Sequence, residues 1–115
     1  ASDVRLKEKF QQSDGENFLE KIATMQLGSW NYISQNPLKQ RHYGPMAQDF
    51  YKLFGLGTDD KGISTVDPAS IALAAIQEQQ KLIEKQNEKI DRMQILIEDL
   101  KKEMTGLKQT VSSKQ

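Results

Sequence analysis

The sequence predicts an α+β fold: a small head of short strands and two short helices, followed by one long C-terminal helix. Three observations point there. The aromatic residues crowd into the segment up to Phe54, and nothing after Gly62 is aromatic. Before that point, short helical and alternating patterns are separated by turn residues. After it, apolar residues recur every seven positions, the signature of a helix that meets other helices. The expected division is 1–66 for the head and 67–115 for the helix, with a frayed C-terminal tail. A head of some 66 residues is near the lower limit at which a domain folds alone. It is expected to lean on oligomerisation.

The elements follow in chain order. Residues 3–7 alternate Val4 and Leu6 with charged neighbours, which suits a short half-buried strand. Ser13 and Glu16 have capping-box spacing, and Phe18, Leu19, Ile22 and Met25 follow on one face. A helix over 14–27, stopped at Gly28, is predicted. Trp30 and Tyr32 alternate with Asn31, giving a strand over 29–34, and Asn36-Pro37 marks a turn. Pro45 suits the first position of a second helix with Met46, Phe50, Leu53 and Phe54 inward and Gly55 as its end. Residues 59–62 form a turn and 63–66 a β-prone run. Asp67 and Pro68 can then open the last helix, Asp67 as N-cap.

That helix should run from Ala69 to at least Leu107, on the order of 60 Å. Ala69, Ile76, Ile83, Ile90, Ile97, Met104 and Val111 fall at a positions. Ala72, Gln79, Gln86, Met93, Leu100 and Leu107 fall at d. A strict seven-residue period implies a left-handed supercoil. Glu103 at g and Lys108 at the next e could pair between chains. Isoleucine at a with leucine at d favours dimers. Leu82 and Leu96 at g widen the seam toward higher-order bundles, and Gln79 and Gln86 form polar layers that set register. The pattern alone leaves dimer and trimer open.

Lys+Arg and Asp+Glu both number 16, so the formal net charge is zero. Nucleic-acid and membrane-surface partners would favour a basic excess. With no cysteine, disulfides and thiolate metal sites are excluded, and no phosphate loop, dinucleotide fingerprint or zinc signature is present. No cofactor and no metal site is expected. No apolar run approaches a membrane span, and no signal-peptide pattern appears. The start at Ala1-Ser2-Asp3 reads as an edge within a longer protein.

Two sets of residues carry candidate chemistry. Ser2-Asp3-Val4-Arg5-Leu6-Lys7 places a hydroxyl, an acid, a guanidinium and an amine in one segment. A serine hydroxyl needs a base, and a lysine can act as one when burial strips its proton. On a regular strand the side chains of Ser2 and Lys7 would point to opposite faces, so a turn or bulge is required. By spacing alone, two solvated side chains is the simpler reading. The second set is Arg41-His42-Tyr43-Gly44-Pro45-Met46-Ala47-Gln48-Asp49, which holds the one histidine. A lone histidine without a supporting carboxylate motif is more often structural or exposed. Gln48 and Asp49 could simply cap a helix.

Taken jointly, the Ser-Asp-x-Arg-x-Lys start, the amphipathic helix, Trp30-Asn31-Tyr32, the His42–Asp49 segment and Ile71-Ala72-Leu73-Ala74-Ala75-Ile76 opening a coiled coil resemble a known family. It is the C-terminal intramolecular chaperone domain of phage endosialidases and tail fibres, peptidase S74, and the resemblance spans about residues 2–100. It implies a parallel homotrimer, which decides between the two oligomer readings. It implies a chaperone that aligns three chains and templates folding of the upstream segments of its own precursor. It then releases itself by a single-turnover serine endopeptidase cut at Ser2–Asp3. Carried over by position, Ser2 is the nucleophile and Lys7 the base. His42 matches a histidine tied to maturation, while Asp3, Arg5, Gln48 and Asp49 match motif positions without an assigned role. The setting implied is a virion tail-fibre precursor or a bacterial surface fibre. The competing expectations are a trimerisation cap without proteolysis and a coiled-coil adaptor for a different helical partner.

Overall fold

The computed structural model describes residues 1–114 of the chain. A 3-10 turn, Val4–Leu6, opens it. Helix α1 (Gly15–Thr24) follows, then strand β1 (Gly28–Trp30), strand β2 (His42–Gly44), helix α2 (Ala47–Phe54) and helix α3 (Val66–Ser113). A small head of short strands and helices precedes a long C-terminal helix, as the patterning predicts. The chain divides into two compact units, residues 1–78 and 79–115.

In the first unit, Asp14 caps α1 by accepting from Asn17 N at 3.1 Å. The cap therefore sits one residue later than the Ser13 expected from capping-box spacing. Strands β1 and β2 pair antiparallel, with Gly28 opposite Gly44, Ser29 opposite Tyr43 and Trp30 opposite His42. The run 63–66 does not form a strand; His42–Gly44 takes the place beside β1 instead. A hairpin of three-residue strands is marginal by itself. Here the facing pair Trp30 and His42 stack at 4.8 Å between ring centroids, a cross-strand contact that favours this register. Helix α2 starts after Met46, so Pro45 precedes the cap rather than opening the helix. Gly55 closes α2 with φ 62°, in the left-handed region where glycine carries no Cβ penalty.

The core is where α1, α2 and the start of α3 meet. Phe50, Ile71 and Ala75 are its buried residues, each no more than 5% exposed. Phe54 bridges Phe50 (4.9 Å) and Phe18 of α1 (5.9 Å, edge-on). Met46, expected inward, is exposed. Gly15 permits the close approach of α1 to α3: a Cβ there would lie 2.8 Å from Glu78 Cβ and 3.1 Å from the Ala74 carbonyl.

Within this unit the head covers one side of α3. In the heptad register Ile71 and Ala75 fall at c and g, and the half-buried Ala74 and Glu78 at f and c. Ala69, Ala72, Leu73 and Ile76, at a, d, e and a, stay exposed. The face packed by the chain itself is thus not the face the heptads mark.

In the second unit every described residue from 79 to 114 is exposed, including the seam residues Ile83, Ile90, Met93, Ile97, Leu100, Met104 and Leu107. Some of the expected fraying falls on residue 115, outside the described residues.

Candidate functional site

The segment expected to be a half-buried strand is instead an exposed 3-10 turn, with Val4 and Leu6 left in solvent. The cause is local. Asp3 acts as N-cap, its carboxylate accepting from Arg5 N at 2.8 Å. Backbone bonds Leu6 N to Asp3 O (3.0 Å) and Lys7 N to Val4 O (3.3 Å) close the turn. A short acid that offers the backbone a nearby acceptor competes with the extended form. Among the described residues no strand pairs with this segment to reward the alternation of Val4 and Leu6.

This turn resolves the objection that strand geometry raises. It brings Lys7 back over Ser2, and Lys7 Nζ donates to Ser2 Oγ at 2.6 Å. Hydroxyl and amine are within proton-transfer distance, but both residues are exposed, not buried as the base role is expected to require. Beside them, Arg5 grips Asp3 in a fork. Nε donates to Oδ1 (3.1 Å) and Oδ2 (3.2 Å), and Nη2 donates to Oδ2 at 2.7 Å. The Arg5 side-chain bonds, and then its backbone N–H, hold the Asp3 carboxyl below the usual carboxylate value. The same pairing raises the Arg5 guanidinium further.

His42 lies in β2, stacked on Trp30 and edge-on to Tyr32 at 5.3 Å. Its Nε2 lies 3.0 Å from Gln35 Oε1, which also accepts from Tyr32 N at 3.0 Å. Arg41 spans the hairpin, donating to Asn31 Oδ1 (2.6 Å) and Ser29 Oγ (2.9 Å). The Trp30 Nε1–H is buried without a partner among the described residues. Gln48 stands exposed on the first turn of α2, while Asp49 accepts from Gln26 N at 3.2 Å and ties α2 to the chain leading into β1.

Of the residues the sequence singles out, the structure joins Ser2 to Lys7 and Asp3 to Arg5. His42, Gln48 and Asp49 sit in other elements. No hydrogen bond or ion pair among the described residues links them to the Ser2 segment. Gln35 and Arg41, which fix the His42 hairpin, carry no mark in the sequence pattern beyond their closeness to His42.

Among the described residues, no group of three or more His, Asp or Glu side chains is placed to hold a metal ion, and no helix is long and apolar enough to cross a membrane. No curated protein matches the chain. Residues 2–55, from the Ser2–Lys7 turn to the Gly55 cap, match the family model described as chaperone of endosialidase. This segment, a little under half of the chain, is thus similar to the Peptidase S74 family, chaperone of endosialidase.

Proposed function

We propose that this chain is an intramolecular chaperone whose residues 67–115 gather three copies into a parallel coiled coil. Its head, residues 1–66, templates folding of the fibrous protein upstream and then detaches by self-cleavage at Ser2–Asp3. The setting is a tail-fibre precursor or a bacterial surface fibre. The observation that carries the catalytic half is the 2.6 Å contact between Lys7 Nζ and Ser2 Oγ. The uncovered a and d positions of α3, on a face the head does not use, support the oligomeric half.

The physical logic is one of timing. Non-local β pairing is slow and exposes aggregation-prone chains, because loop closure comes before its reward. Three chains clamped at one end meet at an effective concentration of roughly millimolar. Cutting after folding removes the template and leaves the product kinetically trapped.

In the cut, the Lys7 amine takes the hydroxyl proton of Ser2 while the oxygen adds to the acyl carbon of the scissile bond. An ester forms, the proton passes to the departing Asp3 amine, and water hydrolyses the ester. A single turnover needs little rate enhancement. Ring size adds a consequence. A hydroxyl closing on its own residue's carbonyl forms a four-membered ring, so a cut after Ser2 calls for the hydroxyl of another copy. The carbonyl of Ala1 is reachable within the chain through a five-membered ring, which favours a second reading with the cut one bond earlier.

The test is a precursor carrying upstream stalk residues, followed by mass spectrometry of the released domain. A product beginning at Asp3, absent from Ser2→Ala and Lys7→Ala chains, is expected. A product beginning at Ser2 would move the cut to the in-chain reading. Intact precursor indistinguishable from Ser2→Ala would leave only the trimerisation cap.

A further inference from the structure

The Ser2–Lys7 pair is formed by a turn, and the turn has its own fastener. Both Asp3 carboxylate oxygens are engaged by Arg5, and Oδ1 also caps the Arg5 backbone N–H. Asp3 and Glu8 are the acids adjoining the pair in sequence; Asp3 follows Ser2 and stands four residues before Lys7, on the opposite side of Arg5 from it. A free carboxylate beside a lysine would draw the amine into an ion pair and favour its charged form, which cannot accept a proton. Asp3 pairs with Arg5 and not with Lys7, whose amine rests on Ser2. A planar guanidinium engages both carboxylate oxygens at once, which an ammonium does not do equally well.

We propose that Arg5 is a positioning residue for the Ser2–Lys7 pair: its fork on Asp3 closes the turn that carries Lys7 to Ser2 and keeps that carboxylate off the Lys7 amine. The assignment rests on the self-cleavage reading. The other charged side chains of the segment are Asp3, Arg5, Glu8 and Lys9, all exposed. Asp3 is the acid held away by a bidentate partner. Arg5 touches no reacting atom and acts through Asp3 and the turn.

The experiment measures self-cleavage of the precursor against pH for wild type, Arg5→Gln, Arg5→Lys and the double variant Asp3→Asn/Arg5→Gln. Arg5→Gln should lower the rate near neutral pH by tenfold or more and move the half-maximal point to higher pH. Arg5→Lys should fall between wild type and Arg5→Gln. The double variant has no acid to mask, so its half-maximal pH should return toward wild type even if its rate stays low. Unchanged helix content and assembly in each variant separate positioning from folding. An Arg5→Gln profile that overlays wild type, or a double variant that keeps the alkaline shift, would overturn the assignment.

A second readout does not need cleavage. Followed by NMR in the 115-residue chain, the Lys7 ammonium should gain a contact with the Asp3 carboxylate in Arg5→Gln that wild type lacks, and the contact should vanish in the double variant. If the wild-type precursor is as inert as Ser2→Ala, the self-cleavage reading fails. The NMR contact still decides whether Arg5 shields Lys7, and its absence from Arg5→Gln would overturn that shielding.

Discussion

The oligomeric seam can be tested by comparing two isoleucines five residues apart. Ile90 falls at an a position and is 51% exposed in the single chain; Ile95 falls at f and is 60% exposed. Nothing in the isolated chain separates them. If the heptads describe a trimer, the exposed half of Ile90 is buried on assembly while Ile95 stays in solvent. Ile→Ala at a fully buried site costs about 2–5 kcal/mol. Since about half of the side chain is left for partners to cover, Ile90→Ala should cost about 1.3 kcal/mol per chain and about 4 kcal/mol per trimer. At about 1.4 kcal/mol per decade this is roughly a thousandfold in the association constant. For three chains the midpoint concentration follows the square root of that constant, so it should rise about thirtyfold. Sedimentation equilibrium over a wide concentration range reads this directly. Ile95→Ala should leave the midpoint within about twofold of wild type, as expected of a surface position. Equal shifts for the two variants would refute the register. A wild-type chain that stays monomeric throughout would refute the seam itself.

Other expectations concern the head and its turn. Gly15→Ala must push α1 off Glu78 Cβ and the Ala74 carbonyl, so thermal unfolding should show a loss of about 1–2 kcal/mol, overpacking outweighing the gain in helix propensity. Phe50→Ala empties the most buried aromatic position and should lower stability by about 3 kcal/mol in denaturant titrations, enough to unfold a head with so small a core. The Asp3–Arg5 clasp has a signed pH dependence. The Asp3 carboxyl is depressed in the folded turn, so the clasp's contribution is complete above the ordinary value of 3.8 and is lost as pH falls through the depressed value. Amide signals of Arg5 and Leu6 should therefore move toward unfolded positions only in acid below that value, and Asp3→Asn should abolish the transition. Persistence of the turn signals in strong acid would contradict the clasp.

Much of this protein is legible without coordinates. The long helix follows from a seven-residue apolar period that no other element can satisfy, and the Gly55 stop follows from the left-handed cap that glycine tolerates best. The family resemblance, matched over residues 2–55, follows from the joint order of segments that are individually weak. The misreadings share one origin. Val4 and Leu6 alternate like a strand, but among the described residues no strand pairs with them, and the Asp3 carboxylate wins the backbone for a 3-10 turn. The run 63–66 has strand-prone residues, yet the hairpin forms between 28–30 and 42–44 because Trp30 and His42 stack across it.

What the sequence by itself determined is the list of candidate reactive groups and the heptad-marked apolar face of α3, because both are properties of residue type and period. What only the tertiary structure decided is which groups meet. Five positions of separation place Ser2 and Lys7 apart on a strand and together on a tight turn, and the choice lies in a few local hydrogen bonds at Asp3 that no periodicity encodes. The same holds for α3. Its head-packed c, f and g face is set by how closely Gly15 lets α1 approach, and that close fit leaves the a and d seam exposed within the head.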